Sequence, residues 1–235
     1  MADPADLVRR ALAGSGIDLV ASCGIEAYDA RAPEAYRSPA RMPSARGVVV
    51  AGSAGPALWR AFVQRMHESP GRWDDPHPYD AFVAEILSRA DRALADAGIA
   101  FLRYEAAFHA PLRVDFLALA QLAGLGKPGP FGLLIHPDHG PWWALRGAWL
   151  VDAEVEPAAP RPSPCEGCAA PCVGGVANAR ADIVAASPDA RSRCIVGGAS
   201  RYDDDQIAYH YDREATAARL SGGRAGRHPG APGDR

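Results

Sequence analysis

The chain has 235 residues, enough for one large domain or two small ones with a substantial core. With 48% hydrophobic and 23% charged residues it has an ordinary globular composition, and a net charge of −3 offers nothing to nucleic acid or to an anionic membrane. No apolar run approaches the roughly 20 residues that a bilayer span needs.

The first residues, MADPADLVRRALAGSG, lack a hydrophobic signal core and read as an amphipathic helix over 4–13, with Asp3 placed to cap and Gly14 to stop it. A cytoplasmic location is therefore expected. A strand is predicted over 17–23 and an aperiodic loop over 30–46. A buried strand follows at Gly47–Gly52, a β-branched run bounded by glycines. Helical spacing returns over 57–66. After a break at 69–77, the longest helix signal runs from Pro78 to Ala97 with Gly98 at its C′ position. A strand is expected over 99–104 and a helix over 111–123. Mixed rather than regularly alternating signals favour α+β over a doubly wound parallel sheet.

Residues 123–152, AGLGKPGPFGLLIHPDHGPWWALRGAWLVD, form the centre of the reading. Two apolar runs joined by a Pro/Gly loop read as paired strands. A plain hairpin needs neither His136 and His139 on the turn nor Trp142, Trp143 and Arg146 beside it; aromatic faces with a few polar groups suit a large flat ligand. Lys127, the chain's only lysine, sits among glycines, but Pro128 follows it and the phosphate-loop spacing is absent. Glycines such as Gly129 instead let backbone come close to a bulky ligand. His136 and His139 share the turn, but no third ligand at zinc spacing follows, so they and His109, at the start of a predicted helix, suit polar contacts to a cofactor's amides or anchoring of the loop. Strand alternation sends Trp142 to one face and Trp143 and Trp149 to the other.

A Pro-rich connector (158–164) leads into Cys165-x2-Cys168-x3-Cys172, with Cys194 beyond. Four soft thiolates suit one iron–sulfur cluster or a zinc ion. The spacing keeps the C-x2-C-x3-C tail of the bacterial cluster run, with Val173 in place of its proline. A helical piece is expected near 177–186, a polar helix over 203–219 opening on three aspartates, and a disordered Gly/Arg/Pro tail over 221–235. The organisation so read is a core over 1–157, a cysteine-rich segment over 158–200, a C-terminal helix over 201–220 and the tail.

The pattern I-H-P-x-x-G-x-W-x-x-x-R-G over Ile135–Gly147 resembles the cobalamin-processing cblC family. The preceding A-G-L-G…G-L-L-I-H-P and the cysteine segment are similar to epoxyqueuosine reductases and reductive dehalogenases. Further matching residues lie at Tyr104-Glu105, at Asp74–Asp80, and at Arg193, Arg201-Tyr202, Gln206 and Ala208-Tyr209. The resemblance implies a nitroreductase-like α+β fold holding cobalamin and a reaction that reduces or removes its upper axial ligand. His136, Trp143, Arg146 and Gly147 would then line the corrin cleft, and Arg193 would meet the carboxylate of a thiol cosubstrate. Electrons would come from a thiol, a reduced flavin, a ferredoxin or a cluster at the cysteines. Two other classes stay open: a corrinoid or metal carrier with structural zinc, and an FMN-dependent reductase on the same fold. Whether two copies pair is also open.

Overall fold

In the computed structural model, which describes residues 2–107, 110, 112–172 and 190–222, a four-stranded antiparallel sheet organises the chain. Its strands are β1 (Leu19–Gly24), β2 (Gly47–Ala54), β3 (Phe101–Glu105) and the long β6 (Trp143–Val151), in the order β1-β2-β6-β3. The two central strands are the most apolar, as strands covered on both faces must be, and β2 is buried at every residue. Along β2, Val49 and Ala51 enter one core cluster while Val48 and Val50 enter the other.

Helices α1 (Pro4–Leu12), α3 (Ala57–Glu68) and α4 (Pro78–Asp96) cover the first face. The stripe of α4 includes Phe82, Val83, Ile86, Leu87 and Leu94, all buried. Each such side chain contributes about 1.5–3 kcal/mol on burial, so this face alone ties the longest helix to the sheet. Leu87 comes so close that a Cβ at Gly147 on β6 would meet its Cδ1 at 2.9 Å. The second face carries α2 (Ile25–Asp29) and α5 (Phe116–Leu122), the latter capped by Asp115, whose side chain accepts from the Ala118 N–H.

Three expectations change. The apolar runs flanking the histidine turn do not pair with each other. Instead β5 (Leu134–Ile135) pairs with β4 (Lys127–Pro128), because β6 is taken up between β2 and β3. The predicted C-terminal helix is two, α6 (Asp204–Tyr211) and α7 (Arg213–Leu220), since Asp212 leaves helical geometry and caps the second through the Ala215 N–H. The helix expected from 111 begins at Phe116. The piece near 177–186 and the tail beyond 222 lie outside the described residues.

Candidate functional site

The alternation of β6 breaks at one residue. Ala51 faces Gly147 and Gly52 faces Leu145, which leaves Arg146 as the extra residue of a β-bulge. A bulge re-aims its side chain and inverts the alternation beyond it. Trp143 therefore packs in the second cluster and Trp149 in the first, on opposite faces rather than on one. Arg146 leaves the alternation altogether. Its Nε donates to Ser53 Oγ at 2.9 Å and its guanidinium lies 5.1 Å from the centre of the Tyr79 ring.

A second arginine joins it from the C-terminal region. Arg191 lies over both Trp142 (5.9 Å) and Tyr202 (5.6 Å), and Tyr202 stacks on His210 at 5.6 Å. Trp142 meets Tyr202 edge-on, so the end of the histidine turn runs directly into this group. Arg146 Nη2, Arg191 Nε and the hydroxyls of Tyr79 and Tyr202 are buried without a hydrogen-bond partner. Buried polar atoms are nearly always satisfied, so this concentration marks a place where a bound polar group belongs. Burial pushes the Tyr202 hydroxyl up to about 12, so it stays a donor. His210 keeps an exposed edge, yet crowding by protein and the charges of Arg146 and Arg191 push its pKa down. At neutral pH it is uncharged, with positive charge supplied by the guanidiniums. Asp80 and Glu105 line a shallow hollow with Arg146, and Glu105 is engaged by Arg103 at 2.6 Å. The arrangement suits a ligand with carboxylate, phosphate or amide oxygens.

The turn itself is closed by two backbone bonds between His136 and Gly140, of 2.8 and 2.9 Å. His136 is 3% exposed, and its Nδ1 accepts from the amides of Asp138 (3.0 Å) and His139 (3.2 Å). The ring is thus a neutral acceptor at Nδ1 with its proton on Nε2. Desolvation first, and the neighbouring His139 second, hold its pKa at about 4. A histidine depressed in the folded state stabilises fully above its unfolded value of about 6.5 and loses that contribution as pH falls toward about 4. Each pH unit in that window removes about 1.4 kcal/mol, so stability is expected to fall by about 2–3 kcal/mol between pH 7 and pH 4.5 and by about 3.5 kcal/mol over the whole window. Urea unfolding at pH 7 and pH 4.5 measures it; His136→Asn, which keeps an acceptor without a titrating ring, flattens the dependence, and an unchanged slope would refute this account.

His139 bonds through Nδ1 to Ser200 Oγ at 2.8 Å, and Asp138 forms a two-pronged pair with Arg161 at 2.8 Å. Lys127 lies on β4, half-buried. The glycines around it make room for the protein's own side chains: a Cβ on Gly129 would strike Ile135 Cγ1 at 2.5 Å, and one on Gly126 the Trp143 ring at 2.9 Å. Trp143 is 6% exposed and donates its indole N–H to Leu134 O. Gly147 is buried beneath Leu87. Arg193 is exposed, two residues beyond the arginine that reaches Tyr202. His109 lies outside the described residues.

Cys165, Cys168, Cys172 and Cys194 line one small apolar hollow, together with Phe131 from the glycine-rich loop and Ile135 from β5. Among the described residues no three His, Cys, Asp or Glu side chains are gathered at the spacing of a single bound ion. Sequence spacing alone did not single out Tyr79, Arg191 or His210, because they come from three separate segments and no local pattern links them.

No protein-family model and no curated protein matches the sequence. Among solved structures, a B12-trafficking protein CblC of C. elegans, a human MMACHC homologue, superposes with a TM-score of 0.62 at 14% identity over 93% of this chain and 94% of that one. An epoxyqueuosine reductase superposes with a TM-score of 0.51 at 17% identity, over 72% of this chain but half of the reductase. A reductive dehalogenase matches more loosely, at a TM-score of 0.44. The chain thus has the nitroreductase-like α+β fold of CblC, a four-stranded antiparallel sheet with flanking helices.

Proposed function

We propose that this protein binds a corrinoid against the histidine turn and the Arg146–Arg191 group, and acts as a reductase that removes or reduces its upper axial ligand. The observation that carries the proposal is the set of buried, unpartnered donors at Arg146, Arg191, Tyr79 and Tyr202, on a fold shared with a B12-trafficking protein. When bound, the corrinoid supplies a redox-active metal that no side chain provides. The chain's own part is to bind, orient and exclude water. Arg146 and Arg191 meet anionic or carbonyl oxygens, whether of the corrinoid's side chains or of a carboxylate-bearing thiol cosubstrate. Tyr202 and Tyr79 donate hydroxyl protons, and buried Trp142 walls the group from solvent. His136, neutral and locked by two amides, keeps the turn rigid beside it.

The test is an anaerobic absorbance titration with hydroxo- and methylcobalamin, followed by addition of a thiol or a reduced flavin. A shift toward the base-off spectrum, then reduction, supports the proposal; no shift at any corrinoid concentration defeats it. Arg146→Ala is expected to weaken binding of the corrinoid or of the thiol cosubstrate at least about tenfold, since a hydrogen bond to a charged group contributes about 1.5–3 kcal/mol and 1.4 kcal/mol is a factor of ten. Affinities equal to wild type for both ligands would remove Arg146 from the site.

A further inference from the structure

Helices α3 and α4 together line a cleft of about 340 Å³, a volume within the range of small-molecule sites. Each helix contributes positions i, i+3, i+4 and i+7, which share one helical face. From α3 these are Ala61, Gln64, Arg65 and Glu68; from α4 they are Phe82, Glu85, Ile86 and Arg89. None of them lines the hollow beside Arg146, so the cleft is a second place on the molecule.

One wall is fixed before any ligand arrives. Gly14 and Ser15, in the turn after α1, line it. The Ser15 hydroxyl donates to the Leu12 carbonyl at 2.6 Å and accepts the Ile17 N–H at 3.2 Å. Gly16, at φ +85°, lies so close to α3 that a Cβ would meet Leu58 N at 2.6 Å. The apolar part of the lining is Ala61 with Phe82 and Ile86, the last two buried in the core.

The charges in the cleft are unevenly engaged. Glu68 accepts from Gln64 Nε2 at 3.0 Å, and Glu85 is taken by Arg72, which does not line the cleft, at 2.6 Å. Arg65 precedes Glu68 by three residues and Arg89 follows Glu85 by four, spacings at which helical ion pairs form. Neither pair forms here. Among the described residues no hydrogen bond or ion pair engages the guanidinium of Arg65 or of Arg89.

We propose that this cleft binds a small amphipathic oxyanion, with one carboxylate or phosphate head on an apolar body. Arg65 and Arg89 take the head, since planar guanidinium forks match either group. The body lies against Phe82 and Ile86. Glu68 and Glu85, exposed in the same cleft, repel further negative charge, so the site takes one head and rejects a polyanion.

The experiment is an NMR titration of the full chain, following the amides of Ser15, Gln64 and Arg89 and the Nε–H resonances of the arginines. The probes are phenylpropanoate and phenyl phosphate, and the tighter of the two identifies the head. Saturable shifts at these positions are expected at millimolar probe. Phenylpropanol, a body without a head, inorganic phosphate, a head without a body, and citrate, with several heads, are each expected to bind at least about tenfold more weakly. Arg65→Gln and Arg89→Gln are each expected to weaken the better probe by about tenfold or more. No saturable shift with either probe, a control that binds as well as the probes, or variants that bind like wild type would each overturn the proposal. Should a variant fold poorly, the wild type decides: Nε–H resonances of Arg65 and Arg89 that stay unmoved while a probe binds refute the assignment. No corrinoid enters these measurements, so their failure leaves the corrinoid proposal standing, and the reverse holds as well.

Discussion

Gly140→Ala is expected to destabilise the protein by about 3 kcal/mol or more, and to push the 194–200 segment off the histidine turn. Two costs combine. Gly140 has φ +56°, a left-handed conformation in which a Cβ costs about 1–2 kcal/mol. The new methyl would also stand 2.0 Å from the Val196 carbonyl oxygen, a backbone atom with no flexible end to yield. Either the turn opens, losing the paired His136–Gly140 bonds, or the segment retreats and the 2.8 Å His139–Ser200 bond goes with it. Gly132→Ala is the control, since Gly132 has φ +82° but open space where its Cβ would lie. Urea unfolding of both variants separates the conformational cost from the collision. If Gly140→Ala is no worse than Gly132→Ala, the turn and the segment are not in contact in solution.

Asp91→Ala is expected to cost about 3 kcal/mol, although Asp91 belongs to no proposed site. Its two oxygens serve different elements: Oδ1 accepts the indole N–H of Trp149 on β6 at 2.7 Å, and Oδ2 pairs with Arg103 on β3 at 2.6 Å. Trp149 is fully buried, and an unsatisfied buried donor costs about 1–3 kcal/mol. The ion pair is about a fifth exposed and Arg103 keeps Glu105, so its loss adds about 1 kcal/mol rather than the 3–5 of a pair orphaned in a dry interior. Trp149→Phe removes the donor instead of its partner. In the Asp91→Ala/Trp149→Phe double variant the penalty for the stranded N–H disappears, so the combined loss is smaller than the sum of the single ones. Urea midpoints of the three variants measure this coupling. Strict additivity, or a loss below about 1 kcal/mol for Asp91→Ala, would show that the carboxylate does not join α4 to the sheet.

Much of the fold was legible because its signals are local. The 3.6-residue spacing of Phe82, Ile86 and Leu94 specifies α4 with Gly98 as its stop, and the β-branched run at Val48–Val50 specifies a strand buried on both sides. The break at Asp212 was missed because an aspartate inside a helical pattern reads equally well as a surface residue; its role as a cap depends on the next helix forming.

The site divides along the same line. Composition and spacing alone pointed to His136, His139, Arg146 and the four cysteines, since two histidines on a Pro/Gly turn and thiols at close intervals are unusual in any fold. What those residues do was decided by tertiary structure. The hairpin expected around the turn gave way because β6 gains more by pairing with two strands than with β5. The bulge at Arg146 depends on which residues of β2 oppose it, a non-local fact, and it moved Trp149 to the face opposite Trp143 and aimed the guanidinium at Tyr79. Arg191, Tyr202 and His210 reach Arg146's neighbourhood only because the C-terminal segment folds back over Trp142. Sequence alone thus determined the elements and the chemical types available, because these depend on neighbours along the chain. Register and the convergence of distant segments were settled by packing, where a single extra residue in one strand changes which side chains meet.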